Sequence, residues 1–267
     1  MIYGNEAEIG KALNEAFSSG LVAREDLFIT SKLWNSYHDP EHVEKAIQQS
    51  LQDLQIDYLD LYLMHWPIAF RTGYDQAENA SELVSLDEQP LSTTWEAMAK
   101  LQEKGLTKHI GVSNFNIPKI QKLINDTSIV PEMNQIEIHP YFQQNELVTF
   151  CQKNEILVTA YSPLGSRKLT STGKGPDKED IILSIAKEHN ATPAQVMLAW
   201  GMERNTIVIP KSVNKERIKE NFGSVNVKLN DEDMAKIATL DRNQRLSTGA
   251  FAVFADGPYT PESIWEE

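Results

Sequence analysis

Apolar positions along the chain alternate between two rhythms. Short runs dense in apolar and β-branched residues are each followed by a longer segment whose apolar residues recur every three or four positions. LFITSKLW (27–34) precedes DPEHVEKAIQQSLQDLQI (39–56), where Val43, Ile47, Leu51 and Leu54 share a helical face behind an Asp-Pro start suited to a helix N-terminus. YLDLYLMHW (58–66) leads to a helix over Thr93–Lys104, and HIGVSNF (109–115) to one starting near Ile117 and Pro118. EMNQIEIH (132–139) with NELVTFCQKN (145–154), ILVTAYSPL (156–164) with Lys178–His189, and TIVIPKS (206–212) with Lys215–Phe222 bring the count to about six strand–helix units.

Strands separated by single helices require right-handed crossovers and a parallel sheet. Near-continuous apolar runs such as ITSKL and TIVIP fit strands covered outside by helices and filled inside by side chains, which favours a barrel over a sandwich. Two stretches exceed ordinary loop length: the polar insertion Ile68–Ser92 and the Gly-, Ser-, Thr- and Lys-rich Gly165–Asp177. Both follow the C-terminal end of a strand, the face where barrel enzymes carry their sites. No low-complexity tract divides the chain, and residues 1–267 are expected to form a single domain.

Composition narrows the function. The 267 residues are 41% apolar, enough for a large core, and the formal charge of −13 argues against a nucleic-acid or anionic-membrane partner, which needs a basic field. One cysteine, Cys151, permits neither an internal disulfide nor a thiolate metal cluster. The first residues, MIYGNEAEIG, carry no basic or apolar leader, and no stretch approaches the roughly 18 consecutive apolar residues of a membrane span. A cytoplasmic protein is expected, as a monomer or weak homodimer.

If every strand aims its C-terminal end at one face, the polar residues at those ends converge. They are Lys32, His65, Ser113 and Asn114, Gln135, Tyr161 and Ser162, and Lys211 and Ser212. Singly, a strand-end Lys is a snorkelling surface residue and a His after an apolar run a satisfied core residue; their recurrence about once per unit points instead to a site. A phenol beside an ammonium can exchange a proton with a carbonyl oxygen, and a neutral imidazole can orient that oxygen; Tyr3, Lys32 and His65 supply this set. In IPKSVNKERIKEN (209–221), Lys211, Ser212 and Arg217 form a cationic cradle at a helix N-terminus, suited to a phosphate monoester. The other histidines, His38, His42, His109, His139 and His189, are scattered, so no metal is expected.

YGNEAEIGKAL, FITSKLW, DYLDLYLMHWP, GLTKHIGVSNF, NQIEIHPY, TAYSPLG and IPKSVNKERIKENF together resemble the successive signatures of the aldo-keto reductase family, in order and along essentially the whole chain. The resemblance implies a parallel (β/α)8 TIM-type barrel, and reduction of an aldehyde or ketone by direct hydride transfer from NADPH. By position, Tyr3 matches the proton-donating tyrosine, Lys32 the lysine that lowers its pKa, and His65 the histidine that orients the carbonyl. Ser113, Asn114 and Gln135 match the residues that hold the nicotinamide carboxamide, and Tyr161 the ring that stacks on it. Ser162, Leu164 and Ser166 match a loop over the pyrophosphate. Lys211, Ser212, Val213, Asn214 and Arg217 match the surroundings of the 2′-phosphate and adenosine ribose, and Glu220 and Asn221 those of adenine. The two cations favour NADP(H). Trp34 and Trp66, with His65, are expected to wall the substrate site, with Trp95 as a further candidate and Phe251, Phe254, Tyr259 and Trp265 in a C-terminal tail that either lines the pocket or packs flat.

One family position has no counterpart. The aspartate that precedes the tyrosine in the resembling proteins is absent, since only Met1 and Ile2 stand before Tyr3. Six units also fall short of an eight-stranded closure, which would leave two edge strands. The expectation is therefore of a chain that starts partway into the fold. The alternative function is an NADP(H)-binding or interaction protein with little catalysis.

Overall fold

The computed structural model describes residues 1–166 and 174–265. These gather into two compact units, Met1–Asn134 with Gly249–Glu267, and Gln135–Thr248.

The first unit begins with α1 (Glu6–Ser18), β1 (Thr30–Leu33), α2 (Pro40–Leu54) and β2 (Leu59–Met64). A small antiparallel pair follows, β3 (Ala69–Phe70) and β4 (Leu83–Val84), then α3 (Leu91–Glu103), β5 (Thr107–Ser113) and α4 (Ile117–Thr127). Helix α2 forms where its apolar spacing predicts it: Val43, Ile47, Leu51 and Leu54 are all buried, Pro40 occupies the first turn, and the Asp39 carboxylate accepts the Glu41 N–H at 3.0 Å. Strand β2 is buried at all six positions because it lies between β1 and β5, both parallel to it, with Lys32 opposite Leu63 and Leu63 opposite Gly111. Parallel pairing brings the C-terminal ends of all three strands to one edge, so Lys32, His65 and the Ser113-Asn114 pair emerge together.

After β6 (Met133–Glu137), which straddles the division, the second unit holds α5 (Asn145–Lys153), β7 (Leu157–Tyr161), α6 (Asp180–Glu188), α7 (Pro193–Glu203), β8 (Ile207–Val208), α8 (Lys215–Phe222) and α9 (Asp231–Ala238). Strands β7 and β8 are parallel, with Thr159 opposite Ile207. The strand order β1-β2-β5-β6-β7-β8 is sequential apart from the small pair, as single-helix crossovers demand. The last helix, α10 (Pro261–Trp265), belongs to the first unit.

Four expectations are corrected. The insertion 68–92 is not simply polar: Ile68, Ala69, Phe70, Leu83 and Val84 are buried, and β3 and β4 pair within it. The TIVIP run is not covered on both faces, since β8 ends the strand order and Ile207 and Ile209 are exposed. Trp95 is no pocket wall; it is fully buried on the inner face of α3, its indole N–H donated to the Ile129 carbonyl. Helices α1, α7 and α9 lie outside the six predicted units. In α7, Val196 to Gly201 are all buried, so no polar face marks a helical period, and its start is signalled by the Thr192–Gln195 capping box and Pro193 in the first turn. The 165–177 loop falls largely on residues 167–173, outside the described residues.

Candidate active site

In the first unit, Tyr3, Lys32 and His65 line one cavity of about 140 Å³, together with Glu6, Ser31 and residues of α1 and β1. The Tyr3 and His65 ring centroids are 6.0 Å apart, and the Lys32 ammonium is 6.0 Å from the Tyr3 ring. His65 is buried against Trp34, edge to face at 5.0 Å. Its main chain is clamped on both sides: its N–H donates to the Leu33 carbonyl at 3.1 Å, and its carbonyl accepts the Asn114 amide at 2.9 Å. Asn114 reaches back because it leaves β5 in a left-handed conformation, φ 64°, which asparagine tolerates better than most residues.

The electrostatics differ in part from expectation. Burial, reinforced by the Lys32 ammonium, holds the His65 imidazole well below its ordinary pKa, so the ring is neutral at pH 7 and can donate a hydrogen bond. Burial also pushes Lys32 down to about 8. Tyr3 moves opposite to the expected direction. Although 69% of the residue is exposed, partial desolvation raises its pKa, and at 6.0 Å Lys32 does not reverse this. The phenol thus keeps its proton at neutral pH, as a donor must.

Glu6 is a cavity residue that sequence reasoning missed. Its carboxylate accepts the hydroxyls of Ser31 and Ser50 at 2.5 and 2.9 Å and pairs with the Met1 ammonium at 2.9 Å, tying α1 to β1 and α2. Burial would raise its carboxyl, but the ammonium and the two hydroxyls outweigh it and hold the carboxyl below its usual range. Its signal was present in the chain, as an acidic residue in the first turn of a helix.

A second, larger cavity of about 520 Å³ in the same unit is lined by Ile2, Trp34, Phe70, Asp75, Gln76, Ala77, Ala250, Phe251 and Phe254. Trp34 is the wall it shares with the surroundings of His65, and its indole N–H donates to the Asp75 carbonyl at 2.7 Å. Phe251 packs near-perpendicular to Phe70 at 6.1 Å and to Trp66 at 5.1 Å. Trp66 does not line this cavity; it is buried between Phe251 and Trp265, so its contribution to the wall is indirect. The tail divides likewise, Phe251 and Phe254 facing the cavity while Tyr259 and Trp265 pack behind.

In the second unit, Gln135 is buried in β6 and Tyr161 half-buried at the end of β7, after which the chain turns at Ser162, φ 49°. Leu164 and Ser166 are half-buried in the loop beyond. Lys211, Val213, Asn214 and Arg217 are exposed around the start of α8, Ser212 and Glu220 are half-buried, and Asn221 is buried. The helix N-terminus itself is already occupied, because the Asn214 side chain accepts the N–H groups of Glu216 and Arg217 at 3.0 and 3.1 Å. Any phosphate recognition there therefore falls to the side chains rather than to these main-chain donors. A buried node was also missed: Glu137 accepts from His139 at 2.8 Å and from the N–H groups of Leu246 and Ser247 at 2.9 and 2.8 Å, anchoring the irregular segment that carries Arg245. Burial pushes Arg245 down to about 10, while Tyr161 and Glu137 work to raise it.

Comparison with known proteins was made on this geometry. The model of the aldo/keto reductase family matches residues 1–242. An aldo/keto reductase of Synechocystis sp. is 45% identical over 100% of this chain and 83% of its own length. Aldo-keto reductase family 1 member A1 of Mus musculus is 43% identical over 97% of this chain and 81% of its own. Among solved structures, the aldose reductase from Schistosoma japonicum matches with a TM-score of 0.86 at 43% identity, covering 94% of this chain and 80% of that one. Family and structural likeness together give a (β/α)8 TIM-type fold, to which this chain contributes six parallel strands in the large sheet. The family match begins at residue 1, and these two relatives align over 97–100% of the chain, which spans 81–83% of their own length.

Proposed function

The chain belongs to the aldo/keto reductase family, and on that footing we propose that it is a single-domain NADPH-dependent reductase that converts a small aldehyde or ketone to the alcohol, with Tyr3 as general acid. Carbonyl reduction with a nicotinamide cofactor is the family's chemistry. The observation that carries the reading is the meeting of Tyr3, Lys32 and His65 on one cavity. Neutral His65 donates a hydrogen bond to the substrate carbonyl oxygen and orients it, and protonated Tyr3 delivers a proton to that oxygen as negative charge develops there. Lys32, charged below about pH 8, stabilises the phenolate that this transfer leaves behind.

The donor set fits the cofactor. Gln135, with Ser113 and Asn114, would hold the carboxamide and Tyr161 would stack on the ring; Ser162, Leu164 and Ser166 would meet the pyrophosphate. Lys211, Ser212, Val213, Asn214 and Arg217 would surround the ribose phosphate, and Glu220 and Asn221 the adenine. When bound, the reduced nicotinamide supplies the hydride. Exposed Lys211 and Arg217 favour a dianionic 2′-phosphate over a bare hydroxyl, hence NADPH over NADH. The aromatic walls of the larger cavity suit an apolar aldehyde.

A cofactor-binding protein without catalysis is not favoured, given 43–45% identity to reductases along nearly the whole chain. In the same reading the protein works as a monomer or weak homodimer in the cytoplasm. Among the described residues no helix is long and apolar enough to cross a membrane. The test is oxidation of NADPH and NADH with benzaldehyde, in the wild type and in Lys211→Ala with Arg217→Ala. The double variant is expected to weaken NADPH by about one to two orders of magnitude, the exposed charges being partly screened, and to leave NADH within about twofold. Equal losses for both cofactors, or no wild-type turnover, would refute the assignment.

A further inference from the structure

Tyr259 lies in a Gly- and Pro-rich tail, yet it is only 2% exposed. Its hydroxyl accepts the Ala69 N–H at 2.8 Å and donates to the Val84 carbonyl at 2.6 Å. Ala69 and Val84 are directly opposed in the β3–β4 pair, so one phenol bridges both strands of this two-residue ladder. Burial raises its pKa well above the ordinary phenol value, so the hydroxyl remains both donor and acceptor at every physiological pH.

The two parts that Tyr259 joins both line the 520 Å³ cavity, where Phe70 and Phe251 pack edge to face at 6.1 Å. Phe70 follows Ala69 on β3, while Phe251 and Phe254 precede Tyr259 in the tail. Phe70, Leu83, Tyr259, Trp34 and Trp66 share one buried cluster, with Phe254 packed against it. A pair of two-residue strands has little intrinsic stability, and a tail with this Gly and Pro content has less. Without the clamp, apolar contact alone would hold the walls, and such contact is non-directional. The hydroxyl is directional, and it ties the tail to a defined point of the pair.

We propose that Tyr259 is a positioning residue for substrate selection: its hydroxyl keeps Phe70 and Phe251 packed together as one aromatic wall, against which a flat aromatic aldehyde seats. The inference rests on the reading of the larger cavity as the substrate site. Tyr259 itself lies behind that cavity and away from Tyr3, Lys32 and His65, so loosening the walls acts on binding of bulky substrates and not on proton delivery.

Steady-state reduction of benzaldehyde and propanal by wild type and Tyr259→Phe tests it. The variant is expected to raise KM for benzaldehyde about tenfold while kcat stays within about twofold, and to leave both constants for propanal within about twofold. Equal changes for the two aldehydes, or none, would overturn the proposal. Ala69→Pro removes one arm of the clamp with Tyr259 in place and must give the same selectivity shift, which guards against Tyr259→Phe failing to fold. Benzyl alcohol titrations followed at the Trp34 indole N–H resonance need no turnover. A Kd raised about tenfold in the variant supports the clamp, and an unchanged Kd refutes it. If the wild type does not oxidise NADPH with the aldehydes yet binds benzyl alcohol about tenfold more tightly than Tyr259→Phe, the catalytic reading fails while the clamp stands.

Discussion

The residue types at Tyr3, Lys32 and His65, and the strand-end positions of Lys32 and His65, were legible from the chain, but their ionisation was not. The sequence motif implied a lysine that lowers the pKa of the tyrosine, whereas the folded surroundings raise it, because proton affinity depends on local burial and distance, which no spacing encodes. Tyr3→Phe is expected to cut kcat by about two to four orders of magnitude while NADPH affinity, from fluorescence titration, stays within about threefold. An unaltered kcat would remove Tyr3 from the role of acid. Lys32 predicts a pH limb: kcat/KM should fall as pH passes about 8, and Lys32→Met should abolish that limb along with most activity. The stability linkage has the opposite sign. Between about 8 and 10.5 the unfolded chain binds the Lys32 proton and the folded one does not, so this group's contribution makes the protein more stable as pH rises through that window.

At the scale of elements, periodicity located helices with one polar face and failed for those without one. Helix α2 could be read residue by residue, but α7, buried at six successive positions, offered no stripe, and α1 was visible only as part of a motif. The reason α1 carries Gly10 is tertiary: a Cβ there would stand 2.1 Å from the Asp53 carbonyl oxygen and 2.7 Å from Leu54, where α1 meets the end of α2. Gly10→Ala gains about 1 kcal/mol of helix propensity but meets main chain rather than a movable side chain. A net loss of about 1–2 kcal/mol is expected, lowering Tm by roughly 2–8 °C in circular dichroism melts. A raised Tm would show that the two helices part freely.

On the scale of the whole molecule, the net charge of −13 and pI near 5.0 set solution behaviour whatever the fold. Solubility is expected to pass through a minimum near pH 5, seen as turbidity that clears as pH rises toward 7 and repulsion between copies returns. A flat turbidity profile from pH 4 to 8 would contradict this. The exposed apolar residues of the β8–α8 region, among them Ile207, Val213 and Phe222, add to the tendency once charge is neutralised.

The sequence by itself determined the alternation of strand and helix, the parallel sheet, the family and the identity of the residues at the strand ends, because each of these is written in local period or in motif. Tertiary structure decided which groups share a cavity and in what ionisation state. It also buried the core of an insertion that reads as polar, and made Tyr259, an unremarkable tail residue, the link between the tail and the β3–β4 pair. All of these depend on neighbours distant along the chain, and it is burial by such neighbours that sets both hydrogen-bond partner and proton affinity.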